Sequence, residues 1–320
     1  MEVLAAGYEI IEQKPGIDGI YEAIELPGRI CYHSQDKIAP GTAKTFVENG
    51  LMKSNHGAPM EHGEVCLECP EDVYMKYETN PYSKVKAVKV DTKIIHYMGD
   101  YIIDTYKYYV TTNFRVLFEN GWLDDLKYLC EPTPYHERRV MVRFTIDRFT
   151  GEEYLRHRRA SFNRESTRYV NFTKDKFGGG SIKFIRPIWL AERADELDKV
   201  VAEDSIQSLC QSVFIETDTS YWSDIDYWVF ALKATEYSYN NLIRLGWAPE
   251  QARTVLPCAI SSPLIKTAFL SDWIHFFNLR ALGKTGKPHP QAKELAEPLM
   301  YDFIERGLIK FDDNNKLVIA

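Results

Sequence analysis

The chain has 320 residues, 45% of them hydrophobic, and a formal net charge of −7. This length and composition allow a sizeable core in one or two domains. The acidic balance argues against general nucleic-acid binding, because non-specific affinity needs an extended basic face. The sequence has neither a run of about 18 apolar residues nor an N-terminal signal-peptide pattern, so we expect a cytoplasmic protein.

The segment before residue 70 is predicted to alternate between strands and helices. Its elements are a strand over residues 1–12, a helix over 16–26, a turn at 29–32, a helix over 42–53, a loop over 56–62 and a strand around Val65 and Leu67. Apolar residues three and four apart indicate the helices, and alternation indicates the strands. Glycine, proline and several titratable groups mark the loop.

The six cysteines are scattered along the chain, and we expect reduced thiols. Cys66 and Cys69 form a lone Cys-x-x-Cys motif within a predicted strand, which would send the two sulfurs to opposite faces. A zinc site would need a second such pair. Core or surface thiols are therefore favoured, metal or redox use of the pair stays the alternative, and no metal site is predicted.

Residues 70–138 have a different character, with many tyrosines and lysines. Tyr106–Val110 is predicted as a strand, and a helix should open after Thr112 or Asn113 and run through Trp122. We interpret this segment as an insertion into the surrounding domain.

The next segment leads into the most basic part of the chain. Residues 139–146 alternate as a strand, and a helix from Gly151 should carry the first arginines. Beyond Ala160 the serine, asparagine and threonine residues favour a loop. Residues 178–180 predict a glycine turn and residues 183–187 the end of a short strand.

From residue 191 onward the chain is predicted to be mostly helical. The helices are expected at residues 195–213, 224–245, 249–256, 272–282 and 290–306. Strands early and helices late favour an α+β fold, with an antiparallel or mixed sheet packed with long helices and a helical C-terminal half. The sequence contains no Gly-rich dinucleotide fingerprint and no Walker loop, so a nucleotide must be held in another way.

Residues 156–169, which we call the signature segment, hold five arginines and one histidine in fourteen residues. Glu165 is their acidic counterweight, which leaves a local excess of +4 in an acidic protein. Arginine forks bind phosphate bidentately, so a compact cluster suits a small phosphorylated ligand. The alternative is a solvated helix face paired with Glu152 and Glu153.

The order of motifs in this chain resembles the flavin-dependent thymidylate synthases. The family signature is matched by Arg156-His157-Arg158, seven residues, Ser166 and then Arg168-Tyr169. Three other segments agree in order: residues 56–62, residues 252–257, and Asn278-Leu279-Arg280 followed by His289 and Gln291. The resemblance covers residues 1–69 and 139 to about 310, which implies one domain over residues 1–320 with an insertion at about 70–138.

The resemblance implies a reaction as well as a fold. Members transfer a one-carbon unit from methylenetetrahydrofolate to C5 of dUMP, giving dTMP and tetrahydrofolate, with bound FAD reduced by NADPH. They are homotetramers whose active sites draw on more than one subunit. Neither nucleic acid nor a membrane is an expected partner.

Site residues follow from the matching positions. The dUMP-binding set implied by the resemblance is Glu153, Arg156, Arg164, Glu165, Ser166, Thr167, Arg168, Arg253 and Arg280. The FAD-binding set is Glu61, Arg156, His157, Arg158, Asn163 and His275. Arg280 is the expected catalytic residue, because a guanidinium at the N3/O2 edge of uracil would favour the anionic ring and push electron density toward C5.

The chain departs from the family pattern at several of these positions. Arg164 stands where many members have glutamate, and Glu153 where a substrate-facing glutamine is common. Ala58, Phe269 and Ser271 replace residues that are usually polar or basic. Two other functions therefore stay open: a related flavin enzyme that modifies another pyrimidine nucleotide at C5, and an arginine-rich RNA-binding module.

Overall fold

The computed structural model describes residues 1–96, 100–168, 170–177, 179–203 and 219–320. The strands β1–β11 are Glu2–Leu4, Gly7–Ile11, Glu64–Cys69, Lys84–His96, Asp100–Asn113, Arg139–Thr145, Ser161–Arg164, Lys183–Ile185, Leu264–Phe269, Ile309–Phe311 and Leu317–Ile319. The α-helices, α1–α11, are Gly16–Cys31, Thr42–Thr45, Gly57–Met60, Glu71–Glu78, Phe114–Asn120, Arg148–Leu155, Ala194–Glu203, Asp224–Arg244, Pro249–Ala252, Leu270–Arg280 and Pro290–Glu305. Short 3₁₀ segments and a π-helix at Phe46–Met52 connect them.

A four-stranded antiparallel sheet in the order β2-β6-β9-β7 forms the centre of the fold. Alternation along β6 sends Val140, Val142 and Phe144 to one face, where they pack on α10 and α11 in the largest core cluster. Met141 points to the other face and packs against α1. The sheet therefore lies between two helical layers, which confirms the predicted α+β class.

A second antiparallel sheet, in the order β3-β5-β4, contains both strands of residues 70–138, β4 and β5. β5 pairs with β3 from Tyr108 to Asn113 and with β4 along nearly its whole length. Asn113 caps α5 by accepting a hydrogen bond from the Val116 amide at 3.2 Å. Residues 70–138 thus add two strands to β3, which precedes them in the chain.

Several predicted elements are confirmed by the structure. The strand around Val65, the helix over residues 42–53, and the helices at 224–245, 272–282 and 290–306 all occur within a few residues of their predicted bounds. The described cysteines are free thiols. The predicted helix 195–213 begins as α7, and its later part, like Gly178 and Tyr169, lies outside the described residues.

Four sequence predictions were wrong. The turn at 29–32 is mostly the last turn of α1, which continues through Pro27 because its apolar face is buried on the sheet. The loop over 56–62 contains α3. α6 ends at Leu155, so the signature arginines lie after the helix and not within it. Residues 161–164 form β7, not a loop, because they pair with β9.

The C-terminal half is largely helical, as predicted, but the strand β9 within it was missed. All six of its residues are buried. A short strand that is buried on both faces shows no alternation, so periodicity does not reveal it. Among the described helices, none is long and apolar enough to cross a membrane.

Candidate active site

A cavity of about 590 Å³ lies beside the signature segment. Its walls come from the turn at residues 156–160, from β9 and the start of α10, and from Lys84 on β4. Four of the six residues predicted to bind FAD line it: Arg156, His157, Arg158 and His275. The structure therefore brings together most of that predicted set.

The turn is held in place by the helix before it and the strand after it. Asp147 caps α6 by accepting from the Thr150 amide at 2.9 Å. The buried Tyr154 hydroxyl donates to the Ala292 carbonyl at 2.8 Å, which ties α6 to α11. The His157 amide then donates to the Tyr154 carbonyl at 3.2 Å and closes the turn. Because β7 follows at once and pairs with β9, both ends of the turn are fixed.

His157 is neutral and presents an unused donor. Its ring is buried, and burial, together with the nearby positive charges of Lys266 and Arg280, lowers its pKa to about 3. The Arg280 Nε donates to Nε2 of His157 at 3.2 Å, so the ring proton belongs on Nδ1. That Nδ1 atom is buried and has no hydrogen-bond partner within the described part of the chain.

Lys266 is a second unsatisfied donor at the cavity wall. It is 0% exposed, and its Nζ lies 3.6 Å from the centroid of the Phe276 ring and 4.0 Å from a Trp273 ring. Across residues 1–96, 100–168, 170–177, 179–203 and 219–320, nothing accepts a hydrogen bond from Nζ. Burial holds the pKa of Lys266 well below its ordinary value.

Arg280 is fixed at the end of α10 by three hydrogen bonds. Besides its bond to His157, its Nη1 lies 2.7 Å from Oε2 of Glu153 and its Nη2 donates to the Glu153 carbonyl at 2.8 Å. A guanidinium has five N–H groups, so two donors remain for a ligand. The side chains of Arg280 and Glu153 are 15% and 19% exposed, which places the pair in a partly buried setting.

The rim of the cavity is basic and open to solvent. Arg156 is 72% exposed and lies 3.4 Å from Glu153, and Arg158 and Arg159 are also exposed. Lys84 and Lys266 bring the lining to five basic residues against Asp272. The predicted pairing with an acid thus occurs for Arg156, but these arginines follow the helix and border a cavity.

Two predicted FAD-binding residues lie elsewhere and have structural partners. Glu61 accepts from Nη1 of Arg115 at 2.6 Å and borders a separate cavity of about 200 Å³. Asn163 is buried, accepts from the His62 ring at 3.2 Å and donates to Sγ of Cys31 at 3.0 Å. Asn163 therefore joins β7 to α1 and to the loop before β3.

Six of the nine predicted dUMP-binding residues lie at the end of β7 or after it. Arg164 donates to Glu152 at 3.0 Å, and Glu165 pairs with the His33 ring at 2.5 Å. The Ser166 amide donates to the Cys31 carbonyl, and Thr167 follows it in the same turn. Arg168 donates to Glu250 at 3.0 Å, and Arg253 is exposed one helical turn after Glu250.

The predicted residues therefore form two groups at opposite ends of β7. Ala160 lies at the cavity, and Glu165 follows the far end of the strand. Five residue steps at about 3.3 Å each span roughly 16 Å. Glu153 and Arg280 belong with the cavity end, through their contacts with Arg156 and His157.

Lys84, Arg159, Lys266 and Asp272 line the cavity but were not among the predicted site residues. Lys266 left a detectable signal, since it is a lysine within an otherwise mostly apolar run, Leu264 to Phe269. Lys84 left none, because only the tertiary placement of β4 brings it to the signature segment.

Comparisons with known proteins point to one family. Residues 132–305 match the family model described as thymidylate synthase complementing protein. A flavin-dependent thymidylate synthase from Kosmotoga olearia is 29% identical over 133 residues, which are 42% of this chain and 50% of that protein. The matched part thus spans about half the length of this relative.

Two solved structures also align over most of the chain. Both are a UMP/dUMP methylase, PolB from Streptomyces cacaoi, one bound with 5-Br dUMP and one with 5-Br UMP. They are 17% identical to this chain, cover 95% of it and align over 93% and 91% of their own chains, with TM-scores of 0.39 and 0.38.

Proposed function

Because this chain belongs to the flavin-dependent thymidylate synthase family, whose model matches more than half of it, we propose that it methylates dUMP at C5 to give dTMP. The carbon donor is methylenetetrahydrofolate, and NADPH supplies the reducing equivalents through FAD. The observation that carries this proposal is the signature segment itself. Its Arg156, His157 and Arg158 line one cavity with His275, as the family resemblance implies.

The cavity suits a flavin nucleotide on chemical grounds. The Nδ1–H of His157 and the Nζ of Lys266 lack acceptors among the described residues, and a flavin ring carries carbonyl and nitrogen acceptors. The exposed Arg156 and Arg158 can bind phosphate bidentately. Bound there, FAD supplies hydride-transfer chemistry, while the protein supplies position and electrostatics.

Arg280 is the residue we assign to activation of the pyrimidine. Its two free N–H donors suit the N3/O2 edge of uracil, where they would stabilise negative charge that the ring passes toward C5. Glu153 and His157 hold the guanidinium from behind and so limit its rotation. Pre-organisation of this kind lowers the cost of orienting the reacting ring.

The phosphate and sugar of dUMP are assigned to the second group, which includes Arg168 and Arg253. Both side chains are exposed, and Arg168 is linked to the helical turn that carries Arg253 through Glu250. Since this group lies at the far end of β7 from the cavity, one chain does not place both groups around one ligand. We therefore propose a homotetramer in which subunits share active sites.

Purified protein tests the proposal directly. The expected result is a flavin absorption spectrum that NADPH bleaches, and dTMP formation from dUMP that requires methylenetetrahydrofolate. Arg280→Lys keeps the charge but loses the planar fork, so turnover should fall at least tenfold while flavin content is retained. A protein that takes up no flavin and forms no dTMP would refute the proposal.

A second pyrimidine nucleotide is a specific alternative because of Glu153. This carboxylate lies beside Arg280, and a carboxylate can accept from the N4 amino group of cytosine as well as from N3–H of uracil. The same assay with dCMP in place of dUMP separates the two substrates. Glu153→Gln should lower any turnover of dCMP more than that of dUMP.

A further inference from the structure

Lys266 lies in an apolar part of the core, where its amino group has no hydrogen-bond partner among the described residues. β9 sends it to the face of the sheet that packs on α10, and its register partners Val142 and Phe162 flank it. The side chain is 0% exposed and contacts two aromatic rings. A methionine or leucine would fill the same space without the burial of an ammonium group.

The energetic balance at this site is unfavourable for the free protein. An ammonium group that leaves water loses its hydration, and contact with aromatic faces recovers only part of that loss. Asp272 favours the charged form through space, whereas Arg280 opposes it. Charged groups buried without a partner are concentrated at functional sites, where a ligand completes them.

The cavity offers two kinds of positive charge. The rim arginines are solvated and present forks, which is the environment that phosphate prefers. Lys266 is closed off from water and lies beneath aromatic rings, with the neutral His157 ring 5.0 Å from Phe276. A weak, delocalised negative charge on a flat heteroaromatic ring suits this second environment, because little solvent screens the interaction.

Resting on the proposed function, we propose that Lys266 makes this cavity favour the two-electron-reduced, anionic form of a flavin over the oxidised form. A dihydronicotinamide donor delivers two electrons and one proton as hydride and becomes the oxidised nicotinamide. The flavin ring gains one negative charge in this step. Lys266 takes up a proton from solvent, and its positive charge then offsets the negative charge of the flavin across the cavity wall.

The test compares Lys266→Met with Lys84→Met, since Lys84 lines the same cavity at its half-buried edge. The midpoint potential of bound FAD, and the dissociation constants of oxidised and reduced FAD, are measured for both variants and for the unchanged protein. Lys266→Met should weaken binding of reduced FAD about tenfold relative to oxidised FAD, which lowers the potential by about 30 mV. Lys84→Met should change both constants by the same factor and leave the potential unchanged.

A stability measurement separates this role from a structural one. Flavin-free Lys266→Met should unfold at the same or a higher urea concentration than the unchanged protein, because it removes a buried amino group that has no hydrogen-bond partner among the described residues. Lys266→Leu removes the same charge with another shape, so a shared shift in potential reports charge rather than packing. An unchanged potential in both variants would overturn the inference, as would equal shifts in Lys84→Met.

The outcomes also distinguish this inference from the proposed function. If the unchanged protein binds no flavin in either redox state, the proposed function fails and the inference fails with it. If it binds flavin and forms dTMP, but the Lys266 variants keep its potential, the inference alone fails.

Discussion

The pair between Arg280 and Glu153 should be energetically coupled, and a double-mutant cycle measures that coupling. Arg280→Met removes the guanidinium, and Glu153→Gln removes the carboxylate charge but keeps an acceptor. The bonds from Arg280 to the Glu153 carbonyl and to His157 are lost in both arms that carry Arg280→Met. They therefore cancel, and the cycle isolates the contact between the two side chains.

The magnitude of the coupling energy follows from the partial burial of Arg280 and Glu153. Exposed ion pairs contribute about 0.2–1 kcal/mol, and removing one partner of a fully buried pair costs about 3–5 kcal/mol. With 15% and 19% exposure and an N–O distance of 2.7 Å, a coupling of about 1.5 kcal/mol is expected. Arg280→Met alone should cost about 3 kcal/mol, because Glu153 is left with the exposed Arg156 at 3.4 Å.

Urea unfolding at a fixed protein concentration, followed by tryptophan fluorescence, gives the free energies for the four proteins. Arg193→Met with Glu196→Gln is the matched control, since this pair is at the surface and should couple more weakly than Arg280 and Glu153. A coupling below about 0.3 kcal/mol for Arg280 and Glu153 would refute the reasoning. The pair would then not be what fixes the guanidinium.

Three other expectations concern separate parts of the site. Asn163→Ala should lower the free energy of unfolding in urea by about 1–3 kcal/mol, because the His62 and Cys31 contacts are buried. Asn314 is exposed, so the control Asn314→Ala should change this free energy by less than about 0.5 kcal/mol. His157→Gln should reduce the loss of stability on acidification between about pH 6.5 and 3. The reason is that the folded protein holds the His157 ring neutral, while the unfolded chain protonates it. An unchanged dependence of the free energy of unfolding on pH would contradict this. Arg168→Ala should weaken dUMP binding at least tenfold and deoxyuridine binding little, as measured by calorimetry.

Four of the residues that the family resemblance groups together lie at one cavity, and short-range spacing accounts for three of them. Arg156, His157 and Arg158 lie in one turn, and His275 lies on a helix whose amphipathic pattern was visible. The pairing of β7 with β9 determines the conformation of residues 161–164, which the sequence pattern did not predict. Ser161–Arg164 has loop-like composition, and only its partner strand makes it extended.

Placement of the second group depended on contacts that sequence spacing does not encode. Glu165 is adjacent to Ser166 in the chain, yet its side chain pairs with His33, which is far away in sequence. Arg164 is balanced by Glu152 from the preceding helix. Glu165 and Arg164 thus both have partners within the chain, and a pairwise tertiary contact of this kind leaves no periodic signal.

The position of Glu165 bears on how dUMP can be held. Its carboxylate is buried against His33 and borders a cavity of about 160 Å³, whereas the exposed Arg168 pairs with Glu250. The His33 partner therefore reduces the repulsion between this carboxylate and a phosphate that Arg168 would hold in the proposed complex. Arg164 stands where many family members have glutamate, so the segment carries a positive charge there instead of an acid. This residue therefore makes the outer end of β7 more favourable to an anion than glutamate would.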